Sequence, residues 1–394
     1  MKRALFVALF AGALAGALLF MRTGPARPAS GFEEFTAEEV EAILSHSPLG
    51  PPPPDPTNAV ADQPGAARLG QMVFFDKRFS REGTVSCATC HDPAKGFGDG
   101  EALSTRFPLD RNVPTLWNTA YNRWWFWDGR ADSAWSQALQ PLENPREHGF
   151  RREHAVRLVR ADARLRGAYE AVFGPMPEGP EADRPFANLG KAVAAYERKL
   201  LSRRSAFDVF AEGVRARDPA KAGALSAEAR QGLKVFLRAQ CRSCHGGPNF
   251  TDGEFHDLGI APLRGGPAPS RHAGIALAKA DPFNGKGAFS DRPGAGAAKL
   301  DFLAVRPESW GQVKTPTLRN VAKTGPYMHQ GQFATLRAVV RFYSTMDGRI
   351  ASAGHAEAIL APLRLAPTEA AALVAFLESL TDESADAGLL KPVE

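Results

Sequence analysis

Cysteine is scarce in this chain of 394 residues, and the few that occur are paired. There are four, arranged as Cys87/Cys90 and Cys241/Cys244. Such a small number excludes a disulfide-rich secreted fold, in which many cysteines stabilise a small core. Because no cysteine precedes Cys87, we also expect no lipoprotein-type anchor at the N-terminus.

A large excess of charge of one sign is also missing. The formal net charge is +5 at pH 7, and four of these charges are basic residues within residues 1–30, where no acidic residue occurs. The rest of the chain therefore carries about +1, which gives no broad attraction for polyanions. We expect no nucleic-acid partner.

Long hydrophobic runs are absent except near the N-terminus. Lys2 and Arg3 precede an apolar stretch from Ala4 to Met21, which is typical of an export signal. The stretch is long for a signal and short for a membrane span. We expect export with cleavage near Ser30. The alternative is an uncleaved anchor, and only in that case would the protein be tethered to the inner membrane.

Each cysteine pair is followed at once by a histidine. The sequences are "CATCH" at 87–91 and "CRSCH" at 241–245, the attachment signature of c-type haem. Both thiols add to the porphyrin, and His91 and His245 become the proximal iron ligands. A zinc module or a thioredoxin-type pair is the alternative for a single C-x-x-C. Two complete motifs predict two covalently bound haems c.

The sequence repeats itself around these motifs. Residues 69–100 resemble residues 231–253, "NVPTLWN" resembles "KTPTLRN", and residues 126–139 resemble 328–340. This pattern predicts a mainly α protein made of two cytochrome c-like helical lobes related by internal duplication. We assign residues 31–215 to an N-terminal lobe with the peroxide-reactive haem and residues 216–394 to a C-terminal lobe with the electron-transfer haem.

Strand patterns are few, whereas helical periodicity is clear in three segments. Residues 153–173, 186–202 and 367–381 carry apolar residues at helical spacing. The segment 259–300 is rich in Gly, Pro and Ala, and it predicts a loop over the second haem.

Near the first haem motif, the sequence contains no histidine or methionine that could be a second ligand of the haem iron. No histidine lies between His91 and His148, and no methionine lies between Met72 and Met176. An iron with an open coordination position can bind peroxide or oxygen, whereas an iron with two strong ligands transfers electrons.

The segment that ends at His148 contains side chains that could transfer a proton or donate a hydrogen bond. Glu147 is a candidate general acid/base for cleavage of a peroxide O–O bond, and Gln137 could donate a hydrogen bond. The alternative for Glu147 is a solvated glutamate beside Arg146. We expect His148 to have a packing or orienting role. In the second lobe, Tyr343, Met346 and His329 are all candidate axial ligands.

Several motifs together resemble the bacterial di-haem cytochrome c peroxidases and their relatives MauG and MbnH. They are the two haem motifs, "RNVPTLWN", "FWDGRA", "NPRE" and "KTPTLRNVAKTGPYMHQGQFATL", and the resemblance covers roughly residues 60–385. It implies two mainly helical lobes with a calcium ion between them.

The resemblance also implies individual roles. Trp127 matches the tryptophan between the two haems, and Tyr343 falls where reductively activated peroxidases have an axial methionine and MauG has a tyrosine. The other matched positions belong to the distal pocket or to the calcium site: Glu147, Gln137 and Pro141 in the pocket, and Asn112, Thr324 and the carbonyl of Pro326 at calcium. We expect Trp124 and Trp125 to pack or to line a haem.

Two departures from the family pattern affect the expected function. The stretch 103–112 lacks the histidine that caps the first haem in many members, and Gln330 replaces a common aspartate. With Tyr343, the missing histidine favours a MauG-type enzyme, open to hydrogen peroxide without prior reduction.

The expected activity is therefore oxidation of an aromatic residue, a tryptophan, on an exported partner protein in the periplasm. The alternative is a peroxidase that reduces hydrogen peroxide to water with electrons from a small cytochrome or cupredoxin. A third class, the non-enzymatic electron carrier, is disfavoured because a carrier needs no distal pocket.

Overall fold

A computed structural model describes residues 34–264, 270–350, 357, 359–384 and 386–394. The export segment expected at 1–30 lies outside these residues. The described chain is mainly helical, with fourteen α-helices and one two-stranded antiparallel ladder. None of the described helices combines the length and the apolar character that crossing a membrane would require.

Seven helices form in the first half of the chain. They are α1 (Ala37–Ser45), α2 (Pro64–Phe75), α3 (Cys87–Cys90), α4 (Ala134–Glu143), α5 (Arg152–Ala161), α6 (Ala163–Phe173) and α7 (Asp183–Glu197).

The second half contains seven more helices and the ladder. The helices are α8 (Ala206–Ala216), α9 (Pro219–Ala222), α10 (Ala227–Arg238), α11 (Arg271–Ala280), α12 (Pro293–Leu300), α13 (Leu336–Thr345) and α14 (Pro367–Glu378). Strand β1 (Phe255–His256) pairs with β2 (Val313–Lys314).

The first hydrophobic core is built where α2 packs against α7. Gly70 allows this approach, because a Cβ there would lie 1.9 Å from the carbonyl oxygen of Ala192. Phe74 then meets Tyr196 with ring centroids 5.0 Å apart. Trp135 of α4 is fully buried in the same cluster, as expected of a tryptophan that serves packing.

In the second core, α10 packs against α14 in the same way, with a glycine at the contact. A Cβ at Gly232 would lie 1.8 Å from the carbonyl oxygen of Ala372. Phe236 and Phe376 meet at 5.1 Å, at places that correspond to Phe74 and Tyr196. Two separate clusters of buried side chains therefore surround the two cysteine motifs.

Helices α1 and α8 belong to the second core. Phe35, Phe207 and Phe210 are buried among its side chains. Helix α8, nearly all of which falls within the predicted N-terminal lobe 31–215, therefore packs with the second cluster.

The predicted helices form, with one break. Residues 153–173 fold as α5 and α6, because Asp162 accepts hydrogen bonds from the backbone N–H groups of Arg164 and Leu165 and so starts a new helix. The apolar patterns at 186–202 and 367–381 correspond to α7 and α14.

The prediction of a loop over 259–300 is wrong for much of that segment. Helices α11 and α12 form there, and they contact the N-terminal half of the chain. At Gly274 a Cβ would lie 2.0 Å from the carbonyl oxygen of Asp128, and Phe283 is buried in the first core. The small residues read as loop signals instead allow close helix packing.

Two stretches, 112–143 and 314–345, repeat the same local geometry with a constant offset of 202 residues. Left-handed backbone occurs at Asn118 and Asn320, both with φ 59°. A tight bridge joins Trp125 to Ala131, and another joins Tyr327 to Phe333. Helices α4 and α13 then follow, each ten residues long.

Candidate active site

The first cysteine motif forms one turn of helix. Ser86 caps α3, so both thiols project from a single turn that ends at His91. The His91 ring places Nδ1 3.0 Å from the carbonyl oxygen of Phe97. That bond fixes Nδ1 as the donor and leaves Nε2 as the lone-pair nitrogen. Burial lowers the pKa of His91 to about 4, which keeps the ring neutral.

The second motif repeats the arrangement. The turn Cys241–Ser243 precedes His245, whose Nδ1 lies 3.0 Å from the carbonyl oxygen of Phe250. Burial lowers the pKa of His245 as well. Both histidines thus present a neutral ring with one nitrogen free for a metal.

These residues fit covalently bound haem. All four cysteines are free thiols, and burial raises the pKa of Cys87 and Cys241 far enough to keep them neutral. Each histidine has its Nδ1 held by a backbone carbonyl, the second-shell bond that orients an iron ligand. Neutral thiols and a lone-pair nitrogen on one turn are the donor set that c-type haem requires.

Helix α4 carries the residues expected above the first haem. Gln137 and Pro141 are four residues apart and so share one face of this helix. The side-chain oxygen of Gln137 is buried and has no hydrogen-bond partner among the described residues. An orphaned buried acceptor of this kind indicates a ligand or water beside it.

Glu147 is partly buried and is held by the turn that follows α4. Its Oε1 accepts a hydrogen bond of 2.5 Å from the side-chain amide of Asn144. Arg146 instead pairs with Asp110 at 3.1 Å. Burial raises the pKa of Glu147 above its ordinary value. The solvated alternative for this residue is therefore disfavoured.

His148 has the packing role expected for it. It is buried, and its Nδ1 lies 2.8 Å from the carbonyl oxygen of Phe79. Arg130 pairs with Asp128 at 3.1 Å and stacks over the ring of Phe126.

Three candidate axial ligands of the second lobe occupy different surroundings. Tyr343 lies on α13 close enough to Cys241 and Cys244 for the thiols to act on it electrostatically, and burial raises its pKa. Met346 is the C-cap residue of that helix, with φ 58°. His329 is buried with its Nε2 unpartnered among the described residues, close to Arg111.

Tyr343 and Pro141 occupy corresponding places. Helix α4 begins after Ser133 and α13 begins after Thr335, and in both cases the hydroxyl caps the helix with a bond of 3.1 Å. Pro141 and Tyr343 each stand eight residues after that cap. One lobe therefore presents a phenol at this place, and the other presents a ring without a ligand atom.

Trp127 lies where the two halves of the chain meet. Its indole N–H donates to the carbonyl of Asn112 at 2.9 Å. Its own carbonyl accepts from the backbone N–H of Lys314 at 2.8 Å. Trp124 is buried, with the guanidinium of Arg271 4.1 Å from its ring centroid.

The three candidate calcium ligands belong to neighbouring segments. The backbone N–H of Asn112 donates to the carbonyl of His329 at 3.0 Å, which sets Asn112 beside the segment that contains Thr324 and Pro326. Asn112 is buried, and its side-chain amide donates to the carbonyl of Glu101. Oxygen donors of these kinds suit calcium.

Two charged groups near the motifs were not predicted from the sequence. His256 lies between Asp252 and Glu357, at 2.8 and 2.9 Å, and these carboxylates raise its pKa to about 11. Glu197 is buried at the end of α7. Both stand in ordinary-looking sequence, so no local signal marks them.

Comparison with known proteins gives a consistent result. The family model described as di-haem cytochrome c peroxidase matches residues 64–216. The methylamine utilization protein MauG of Methylorubrum extorquens is 33% identical over 326 residues, which cover 82% of this chain and 80% of that protein. The cytochrome-c peroxidase IdrP1 of Denitromonas iodatirespirans is 35% identical over 347 residues, covering 85% and 86%.

Solved structures agree with these relatives. The crystal structure of a MauG-like protein associated with microbial copper homeostasis is similar with a TM-score of 0.67 and 27% identity, covering 87% of this chain and 98% of that chain. The diheme peroxidase BthA from Burkholderia thailandensis gives a TM-score of 0.63 at 27% identity, covering 86% and 94%.

Proposed function

Since this chain belongs to the di-haem cytochrome c peroxidase family, whose members are peroxide-dependent oxidoreductases with two haems c, we propose that it oxidises a partner protein. Hydrogen peroxide is the oxidant, and an aromatic residue of an exported protein, a tryptophan, is the target. The protein acts in the periplasm, where its predicted export signal would deliver it.

One observation carries this proposal, the contrast between Pro141 and Tyr343. Proline offers no atom that could fill an iron's sixth position, so a substrate can reach the first haem site. Tyrosine offers a phenol oxygen near the thiols of the second motif. A tyrosinate ligand stabilises ferric iron and lowers its reduction potential relative to methionine.

Haem supplies the redox chemistry of O–O bond cleavage when it is bound. Glu147 moves the proton: its Oε1 is held by Asn144, and burial raises its pKa, which favours the protonated form that a general acid needs. Gln137 orients peroxide through its unpartnered side-chain oxygen, which can accept a hydrogen bond from it. Pro141 keeps the position above the first site clear of protein ligands.

The electrons come from the partner. Conversion of one hydrogen peroxide to two waters breaks one O–O bond and consumes two protons and two electrons. Oxidation of an aromatic residue on the partner releases those electrons. Trp127 relays charge between the two sites, because its indole and its carbonyl bind opposite halves of the chain.

A second function shares nearly every residue. Relatives named cytochrome-c peroxidase are as similar to this chain as those named MauG. In that alternative, electrons from a small cytochrome or cupredoxin reduce hydrogen peroxide to water. Tyr343 and the absence of a histidine from residues 103–112 favour the partner-oxidising enzyme.

Further parts of the proposal concern organisation. We propose that each lobe attaches one haem and that the lobes arose by internal duplication, which the constant offset of 202 residues supports. Asn112, Thr324 and the carbonyl of Pro326 would hold one calcium ion between them. The segment 1–30 would be removed on export, or would tether the protein to the inner membrane.

Electron paramagnetic resonance of the fully oxidised protein tests the central proposal. We expect one high-spin and one low-spin ferric haem, and reaction with stoichiometric peroxide without prior reduction. In Tyr343→Phe the low-spin signal should be lost, because the phenol oxygen is removed. In Tyr327→Phe, a tyrosine of the same lobe that bonds to Val321, it should remain. Two low-spin haems that ignore peroxide until one electron is added would support the alternative function.

A further inference from the structure

A cavity of about 420 Å³ lies beside the first lobe, apart from the haem motifs and the distal face of α4. It is bounded by the segment 53–58, the end of α7, the start of α4 and helix α12. Among the described residues, no cysteine or histidine lines it. The proposed peroxide chemistry makes no use of this space.

Three polar atoms of residues that line the cavity are buried and lack a hydrogen-bond partner among the described residues. They are Oε2 of Glu197, Oδ1 of Asp132 and the indole nitrogen of Trp125. Glu197 is only 4% exposed and Asp132 only 5%. Buried polar groups are almost always paired, so two acceptors and one donor on one cavity indicate ordered water.

The other charged groups on this wall already have partners. Arg198 bonds to Asp62 at 2.7 Å, Arg123 bonds to Glu254 at 2.7 Å, and Asp55 accepts from Thr57. Lys299 donates to the backbone carbonyls of Arg123 and Asp132. None of these bonds reaches the carboxyl of Glu197, a cavity-lining residue, which is therefore a buried acid without a bonded cation among the described residues.

Glu197 also acts on the first haem motif. Its charge is among the influences that raise the pKa of Cys87, so the carboxyl lies within electrostatic range of the attachment residue. Tyr196, its neighbour on α7, is turned away and donates to the carbonyl of Leu389 at 2.5 Å. Glu197 thus links cavity water to the haem side of α7.

We propose that this cavity is the proton entry of the first lobe, with Glu197 as its relay. When the haem attached at Cys87 gains an electron, the carboxylate of Glu197 binds a proton from cavity water and becomes a carboxylic acid. When the electron leaves, the proton returns to the water. Glu197 does not touch peroxide; it balances charge at the redox centre.

The chemistry of this site suits that task. Burial raises the pKa of Glu197 to about 8, so small changes of nearby charge shift its protonation near neutral pH. The groups that share its surroundings are Asp55, Asp132, Arg123, Arg198 and Lys299 on the cavity, with Cys87 and Tyr196 behind it. The proposal rests on the proposed function only in requiring haem at Cys87.

Potentiometric titration of the di-haem protein at several pH values between about 6 and 9 tests the relay. In the wild type, the potential of the first haem should fall as pH rises, because reduction takes up a proton. Glu197→Gln should lose this dependence. Asp183→Asn is the matched control, because Asp183 lies at the other end of α7 and its side chain is half-exposed. An unchanged pH dependence in Glu197→Gln would overturn the proposal.

A measurement on the wild type keeps the test decisive if Glu197→Gln does not fold. The infrared difference spectrum between reduced and oxidised protein should contain the carbonyl stretch of a newly protonated carboxylic acid, shifted in heavy water. A spectrum without this band contradicts the relay. Neither experiment uses peroxide or a partner, so failure of the proposed enzymatic function would leave its outcome unaffected.

Discussion

The two halves of the molecule use the same backbone to place different side chains. Helices α4 and α13 have the same length and the same type of hydroxyl cap, and Trp125 and Tyr327 begin equivalent bridges before them. Yet Pro141 stands where the other lobe has Tyr343. The difference teaches that a repeated scaffold fixes where a side chain lies, whereas the residue at that place decides whether it presents a donor atom.

Buried carboxylates show a second difference. In the second core, Asp208 forms two bonds with the fully buried Arg319, at 2.8 and 2.9 Å. These bonds hold the pKa of Asp208 below its ordinary value despite burial. In the first lobe, Glu197 is buried without such a partner, and its pKa is raised to about 8. One carboxylate is structural, and the other is available to exchange protons.

The largest expected effect concerns the acid unique to the first lobe. Glu147→Gln should slow the reaction with peroxide by about 10²- to 10⁴-fold, the usual contribution of a general acid/base. Stopped-flow absorbance after mixing with peroxide measures it. Glu153→Gln, which alters an exposed glutamate paired with Arg151, is the control and should react normally. Equal rates in both variants would remove Glu147 from the mechanism.

Breaking the buried ion pair of the second lobe comes next. Arg319→Met should lower the free energy of unfolding by about 3–5 kcal/mol, because Asp208 is left as a buried, unpaired charge. Arg238→Met breaks an exposed pair with Glu369, where the arginine side chain is 62% exposed, and should cost far less, because solvent screens the pair. Denaturant unfolding measures both losses. Similar losses of unfolding free energy in the two variants would mean that burial does not increase the contribution of the Arg319–Asp208 pair to stability.

The two buried acids should give opposite pH dependence. The pKa of Glu197 is higher folded than unfolded, so its contribution to stability is present below the unfolded pKa and is lost as pH rises towards about 8. The expected slope is about 1.4 kcal/mol per pH unit in that window. Asp208, with a lowered pKa, contributes above its unfolded pKa and loses this contribution as pH falls.

Denaturant unfolding of wild type and Glu197→Gln over a pH series measures this slope. The variant should be relatively more stable at pH 8 than at pH 5, because Gln carries no ionisation cost. Asp183→Asn should follow the wild type. A constant difference between wild type and Glu197→Gln across the series would show that Glu197 does not titrate in this range.

The smallest expected effect on stability is the loss of either helix cap. Ser133→Ala and Thr335→Ala each remove one side-chain bond of 3.1 Å to a backbone N–H, and each should cost about 1 kcal/mol of unfolding free energy. Denaturant unfolding of the two variants measures the costs. Clearly unequal costs would mean that the two caps, although similar in geometry, are not energetically equivalent.

Much of the architecture was visible in the sequence because it depends on local pattern. Helical periodicity predicted α7 and α14, since an amphipathic helix needs apolar residues at fixed spacing wherever it packs. The prediction of a loop over 259–300 was wrong because the role of a glycine depends on what packs against it, which the sequence does not show. Gly274 and Gly296 mark points where backbones touch, and a glycine needed for contact looks the same in sequence as one needed for a turn.

The sequence by itself determined the chemistry that is contiguous along the chain. Two cysteines and a histidine within five residues define a haem-binding turn without reference to the rest of the fold. Tertiary structure decided the rest, because it depends on distance and burial between remote segments. It placed Tyr343 within the electrostatic reach of Cys241, and it buried Glu197 beside a cavity. Desolvation and proximity arise only when separate helices pack, and they turn an ordinary glutamate into a group that exchanges protons near neutral pH.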